Sequence, residues 1–421
     1  MTKNSGKTLY LCYFGLREPL VQTQVLPYLR EVKKSGAEVS ILTFEPNPKE
    51  NWTDEQITEM RRELKSEGIN WDFLTYHKRP SAPATLFDVL CGSFYAWRKV
   101  RREKIDVLHG RVHIPTMMAI IAKKFSFGKK PKVLFDIRGF FPEEYTDAGV
   151  WEKDGRLYKS VKKIERWLLR EADGFVVLTE RAREILFPES KTSGFDEKKR
   201  PVEVIPCCVN LTRFETANES SRLAMRQKLN IENRFVTVYV GSFGGWYLTE
   251  ETADFYAALK EKHKDAFALI LTQSKPQMIQ PLLEKAGYTE KDFLITKVAP
   301  AEMPLYLSAA DAAVSFIKPC YSKQASSPTK NAEYLACGLP FVANDGIGDT
   351  TEFTEADRVG FVISEFNRES YLESLAKIDE LLKEKEVLAE RCRQSAKKRF
   401  DLETVGGERY RRIYQKLLSK N

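Results

Sequence analysis

The stretch "SSPTKNAEYLACGLPFVAND", residues 326–345, puts hydroxyls, a lysine and a carboxylate at what reads as a helix start. Ser327 suits the N-cap, Pro328 the first helical position, and Gly338 the stop before an apolar strand. Free N–H groups at a helix start attract anions. Lys330 adds a positive charge in the same turn, and Glu333, three residues on, shares its face. An anion site beside a carboxylate suits a nucleotide, with phosphate at the tip formed by Ser326, Ser327, Thr329 and Lys330 and ribose hydroxyls on Glu333. Read as structure alone, the same stretch is a helix followed by a buried strand.

Other loops offer related chemistry. "VGSFGGWYLTEET", residues 240–252, reads as a strand, a Gly-rich turn and a helix. Gly241, Gly244 and Gly245 let a phosphate approach the backbone, and Ser242 can donate to it. The spacing is neither G-x-G-x-x-G nor a Walker A, so dinucleotide and P-loop binding are not supported. Gly15 and Arg17 follow the first strand. His109, Arg111 and His113 follow another in "DVLHGRVHIP", and Asp136 and Arg138 end a third in "FDIRGFFPEEYTDAG". Two of the four histidines within five residues, beside an arginine, favour sugar or acceptor contacts over a purely structural role. The bland reading of Asp136 and Arg138 is a buried ion pair; the functional one is an acceptor-binding pair. No D-x-D occurs, and no metal site is expected.

These loops need a scaffold. The 421 residues exceed one ordinary core and imply two domains. Short runs rich in Val, Ile, Leu and Phe alternate with amphipathic stretches, as in parallel sheets covered on both faces. The pattern runs from "TLYLCYF" to "VEVIPCCV" and restarts at "RFVTVYVGSFGG". The polar "ETANESS" marks the boundary. "QTQVLPYLREVKKSG" reads as part of one helix, and the end of the chain as helical with a break near "DLETVGG". In such folds ligands bind beyond the carboxyl ends of the strands, and two domains facing one another form a cleft.

Composition excludes other classes. A formal charge of +8 is a mild excess that permits anionic substrates but is no nucleic-acid signature. The seven cysteines contain no C-x-x-C, which argues against a zinc ribbon or redox motif and for buried thiols in a reducing compartment. The start has no long apolar run and no segment approaches a bilayer span, so a cytoplasmic protein is expected. "FYAWRKVRREK" and "AKKFSFGKKPK" are basic with aromatics, which suits solvated helix faces or contact with the inner membrane surface.

Taken together, the chain resembles the family 4 glycosyltransferases, retaining enzymes of the GT-B fold. The opening βαβ unit, "VIPCCVNLTRF", "VGSFGGWY", "MPLYLSAADAAVSFIK" and "PTKNAEYLACGLPFVAND" with "GIGDT" are similar to family segments and occur in family order. The resemblance implies an α/β protein of two Rossmann-like domains. Residues 1–215 would hold a glycan or lipid-linked acceptor, residues 216–398 a nucleotide-sugar donor, and residues 399–421 would form a helix crossing back to the first domain. It implies sugar transfer in surface polysaccharide or glycoconjugate assembly, with UDP or GDP as the carrier and no cofactor or metal. Lys330, Glu333, His109 and Asp136 would serve catalysis, and Gly15, Arg17, Arg111, His113 and Arg138 the acceptor. The sequence departs from the family at Ala325, where the first glutamate of E-x7-E belongs, and its Gly-rich turn lacks the family's diphosphate-gripping Arg and Lys. Lys330, Lys275 or Lys323 would substitute, making "SPTK-x-x-EYLACG" a subgroup variant. Two rival readings are a nucleotide-sugar 2-epimerase and a non-catalytic partner protein.

Overall fold

The structure, a computed structural model, describes residues 6–419. The chain divides into two compact units: residues up to Pro206 together with those from Leu402 on, and Cys207–Asp401.

The first unit is built on seven strands: β1 (Lys7–Leu11), β2 (Glu38–Pro46), β3 (Ile69–Tyr76), β4 (Val107–Arg111), β5 (Lys132–Asp136), β6 (Gly174–Val177) and β7 (Val202–Val204). They pair in parallel in the order β3-β2-β1-β4-β5-β6-β7. The order reverses between β1 and β4, which creates a crevice at their carboxyl ends. Their near-continuous burial explains the apolar runs. The stretch read as one helix is two, Pro19–Gln24 and Leu26–Lys33. Pro27 lacks the N–H that a continuous helix needs, so the chain breaks at Val25.

The second unit has six strands: β8 (Val236–Val240), β9 (Phe267–Leu271), β10 (Phe293–Thr296), β11 (Ala312–Ser315), β12 (Phe341–Asn344) and β13 (Gly360–Ile363). All pairings are parallel, in the order β10-β9-β8-β11-β12-β13. Strand β8 sends Val236 and Val238 to one apolar cluster and Tyr239 to the other, so both faces of the sheet are buried. The reversal lies between β8 and β11. The Gly-rich turn and the segment leading to helix Thr329–Ala336 leave the sheet there.

The division falls at 206/207 rather than 215/216. Val209 bridges to Asp401 and donates its N–H to Phe400 O, while Phe214 and Ala217 join the second unit's core. Helix Glu408–Leu418 buries Tyr410, Ile413, Tyr414 and Leu417, the one-face spacing of an amphipathic helix. It is tied to the first unit by Arg412 and Lys416 on Glu203 and by Arg411 on Glu31. A π-helical turn, Leu402–Gly407, precedes it where the sequence pattern breaks.

Candidate functional site

Helix Thr329–Ala336 starts one residue later than expected. Pro328 occupies the N-cap and no side chain caps the first turn. Ser327 Oγ instead accepts the Cys207 N–H at 3.1 Å. An uncapped helix start leaves donors open to a bound group. Lys330 stands in this first turn, 8% exposed, and its Nζ has no hydrogen-bond partner among the described residues. The ammonium lies 4.5 Å from the Tyr239 ring centroid and 4.7 Å from that of Tyr247. Two aromatic faces stabilise it but accept no proton. Burial holds its pKa down at about 7 from the ordinary 10.5.

The Gly-rich turn packs directly on this lysine. Gly241 has φ 143°, a conformation that favours glycine, and a Cβ there would lie 3.3 Å from Lys330 Nζ, which shows how closely the turn approaches the lysine. The turn is not the bare N–H cradle expected of it. Gly241 N–H donates to Leu271 O, Phe243 N–H to Ser274 Oγ, and Gly244 N–H to Thr249 Oγ1. Ser242 and Gly245 remain exposed at its edge. What the turn supplies is aromatic: Tyr247 over Lys330, and Trp246, whose ring centroid lies 3.9 Å from Lys323 Nζ. Lys323 thus approaches from the short 3-10 segment Tyr321–Ala325, while Lys275 is exposed.

Glu333 is half-buried one turn along the helix. Burial raises its pKa to about 7, against the opposing pull of Arg213. Ala325, at the position where the family carries a glutamate, is 1% exposed. The second unit therefore brings together a turn, a helix start, Lys330 and Glu333 at its switch point, which suits a phosphate beside a hydroxyl-bearing group.

The first unit groups its candidates differently. His109, Arg111 and Asp136 end β4 and β5, and Asp136 is 0% exposed. His109 Nε2 lies 3.4 Å from Asp136 Oδ2, and its Nδ1 shares a 2.9 Å hydrogen bond with the Tyr414 hydroxyl. Tyr410 donates to Asp136 Oδ2 at 2.9 Å. Arg111 and Arg138 flank the carboxylate at 3.8 and 3.7 Å. Burial alone would raise the Asp136 pKa, but Arg138, His109 and Arg111 outweigh it and hold it at about 2. Burial pushes the His109 pKa down, so this imidazole is neutral at pH 7.

His109 and Asp136 are thus enclosed by the terminal helix, and their partners come from within the unit. That geometry makes them supports rather than the open sugar contacts the sequence pattern implies. His113 is likewise engaged, with Nε2 3.2 Å from Glu165 Oε1 and its ring against Phe141. Arg17 stacks 3.6 Å from the Trp52 ring centroid and donates to Asn51 O. Gly15 backs onto Glu45, whose Oε1 accepts the Leu16 N–H. Among the described residues, Arg111 Nε, His113 Nδ1 and Asp136 Oδ1 are buried without a hydrogen-bond partner, and of these Arg111 Nε is the cationic donor.

The sequence reading missed Val112, which adopts φ 59°, ψ −170° between Arg111 and His113. A β-branched residue there is strained, and such strain collects at functional sites. It also missed Tyr239, Tyr247, Tyr410 and Tyr414. Only the apolar spacing of the last helix hinted at the final two.

Residues 21–213 match the family described as "Glycosyltransferase Family 4", and residues 221–399 match "Glycosyl transferases group 1". The chain carries, in order, the two domains of a group 1, family 4 glycosyltransferase. A 2-deoxystreptamine glucosyltransferase of Streptomyces kanamyceticus is 30% identical over 158 residues, which span 36% of this chain and 38% of that relative. A glycosyltransferase from Rickettsia africae superposes with a TM-score of 0.72 at 16% identity, over 99% of this chain and 100% of that one. Anabaena HepE, solved with UDP-glucose, superposes at 0.67 with 15% identity, over 97% and 99%. The fold is α/β, with two Rossmann-like domains of the GT-B class.

Proposed function

We propose that the chain transfers a glycosyl group from a nucleoside diphosphate sugar, held on the second unit, to a glycan or lipid-linked acceptor, held on the first. The assignment belongs to surface polysaccharide or glycoconjugate assembly, with retention and without a metal. Lys330 carries the reading: a buried amine with no anion beside it among the described residues, at an uncapped helix start and against a glycine turn, suits a phosphate. Breaking the anomeric C–O bond leaves negative charge on the departing phosphate. Lys330 and the helix N–H groups stabilise that charge where it develops. Glu333 accepts from the ribose hydroxyls. Arg111, with its unused Nε, orients the acceptor. HepE, solved with UDP-glucose, makes UDP the first carrier to test.

The experiment is a thermal-shift panel with UDP, GDP, ADP, CMP and dTDP, with EDTA and then with magnesium. Stabilisation by one diphosphate in EDTA, lost in Lys330→Met, supports the site. No shift with any of them overturns it and favours the non-catalytic partner, the reading that the buried Ala325 supports. Epimerisation of donor in the absence of acceptor would redirect the assignment to a nucleotide-sugar 2-epimerase.

A further inference from the structure

Helix Ser81–Glu103 crosses the first unit with an unusual outer face. Its inner face buries Val89, Gly92, Ala96 and Val100. Its outer face exposes Leu86, Phe87, Leu90 and Phe94, each more than half accessible. At about 100° per residue these four fall within an arc of roughly 100°, and Trp97 continues the arc. Trp97 Nε1 donates to Phe125 O at 3.0 Å, which sets the loop after helix His113–Lys124 beside the helix end. That loop adds Phe125 and Phe127, the latter 90% exposed. Six large apolar side chains thus lie open along one helix and the loop beside it.

The polar groups at this edge are cationic. Arg98, Arg101 and Arg102 have no carboxylate partner among the described residues, and Arg101 instead lies over the Trp97 ring. Lys130 follows in the adjacent loop. The helix carries two acids: Asp88 is buried and Glu103 pairs with Lys99. Nothing acidic on the helix opposes an anionic partner. A second copy docking by the same face would bring the same arginines together, which a two-fold interface penalises. An acyl layer bordered by phosphates matches both parts, rings and aliphatics in the boundary and guanidinium groups at the headgroups. No described helix is long and apolar enough to cross a membrane, so the face would lie on the bilayer rather than span it.

We infer that the outer face of helix Ser81–Glu103, with Phe125 and Phe127, docks the protein on an anionic lipid surface. This does not depend on the reaction assigned above. The test is co-sedimentation of the full chain with phosphatidylcholine vesicles and with vesicles containing roughly 30% phosphatidylglycerol. The expected result is partition onto the anionic vesicles. It should fall about tenfold in Leu90→Gln/Phe94→Gln and severalfold in Arg98→Gln/Arg101→Gln/Arg102→Gln or in about 0.5 M salt. These side chains point outward, so the circular dichroism and melting of the variants should match the parent. Failure to bind either vesicle overturns the inference, as does equal binding by all variants. So does a dimer in light scattering that Leu90→Gln/Phe94→Gln dissociates, which would make the face a self-association surface.

Discussion

Each unit buries charge at the switch point of its sheet, but the two treat it in opposite ways. In the first, Asp136 is surrounded by His109, Arg111, Arg138 and the Tyr410 hydroxyl, and its pKa is held at about 2. In the second, Lys330 has two tyrosine rings and, among the described residues, no anion, and its pKa is held down at about 7. A buried charge with counter-charges stabilises the unit that holds it. A buried charge without them costs stability until a ligand brings the missing partner. The first arrangement is complete in itself, whereas the second, on the function proposed above, is completed by the phosphate of the donor.

The sharpest way to break this contrast is Lys330→Met. Turnover should fall about 100-fold or more, the scale for losing a donor to a developing anion. The free protein should gain about 2 kcal/mol, because an uncompensated charge is gone. The sign depends on pH. Lys330 charges below pH 10.5 in the unfolded chain but only below about 7 in the folded one, so its cost grows as pH falls between those values. The gain from Lys330→Met should therefore shrink toward pH 10.5. Chemical denaturation at pH 7 and 10 checks this, and a destabilised variant would refute the contrast.

Asp136→Asn tests the other side. Arg111 and Arg138 lose their counter-charge, and the first unit should lose about 3 kcal/mol. Asp136 is ionised down to about pH 2 when folded and to 3.8 when unfolded. Its roughly 2 kcal/mol is present above pH 3.8 and disappears as pH falls toward 2. Parent and variant melts should converge there, and parallel curves down to pH 2 would remove Asp136 from the network.

Binding of a diphosphate should draw a proton onto Lys330 above pH 7. Calorimetry near pH 8 in buffers of different ionisation enthalpy should show uptake approaching one proton, and the Lys330 share of that uptake should shrink toward pH 6, where the free amine is already protonated. Glu333→Gln should weaken nucleotide binding roughly tenfold, the loss of one charge-assisted hydrogen bond, with little change in turnover at saturation. The smallest effect is expected at Val112→Gly. Release of a positive-φ strain should stabilise the first unit by about 1 kcal/mol, as read from its melting temperature.

The contrast was half legible in the sequence. Lys330 and Glu333 lie in one continuous motif, and local helix geometry was enough to put them on one face. Parallel strands showed as apolar runs because both faces of each sheet are buried. What sequence order hides is contact at a distance. Tyr239 and Tyr247 reach Lys330 across more than 80 residues, and Tyr410 reaches Asp136 across 274. No local period announces such pairs, so His109 and Asp136 read as open contacts. Ser327 caps no helix for a similar reason, since its hydroxyl serves Cys207, 120 residues earlier. The 206/207 division has no polar run to mark it, and the run that suggests a linker, "ETANESS", lies inside the second unit.

The terminal helix gives the two units different histories on the ribosome. The second unit's last residue is Asp401, so its whole chain has been made before synthesis ends. The first unit has its seven strands early but waits for Tyr410 and Tyr414, the side chains that close over Asp136 and His109. A nascent chain stalled before Leu402 would hold every strand of the second sheet, while the first unit still lacked its terminal helix. The half made first is thus the last to be sealed.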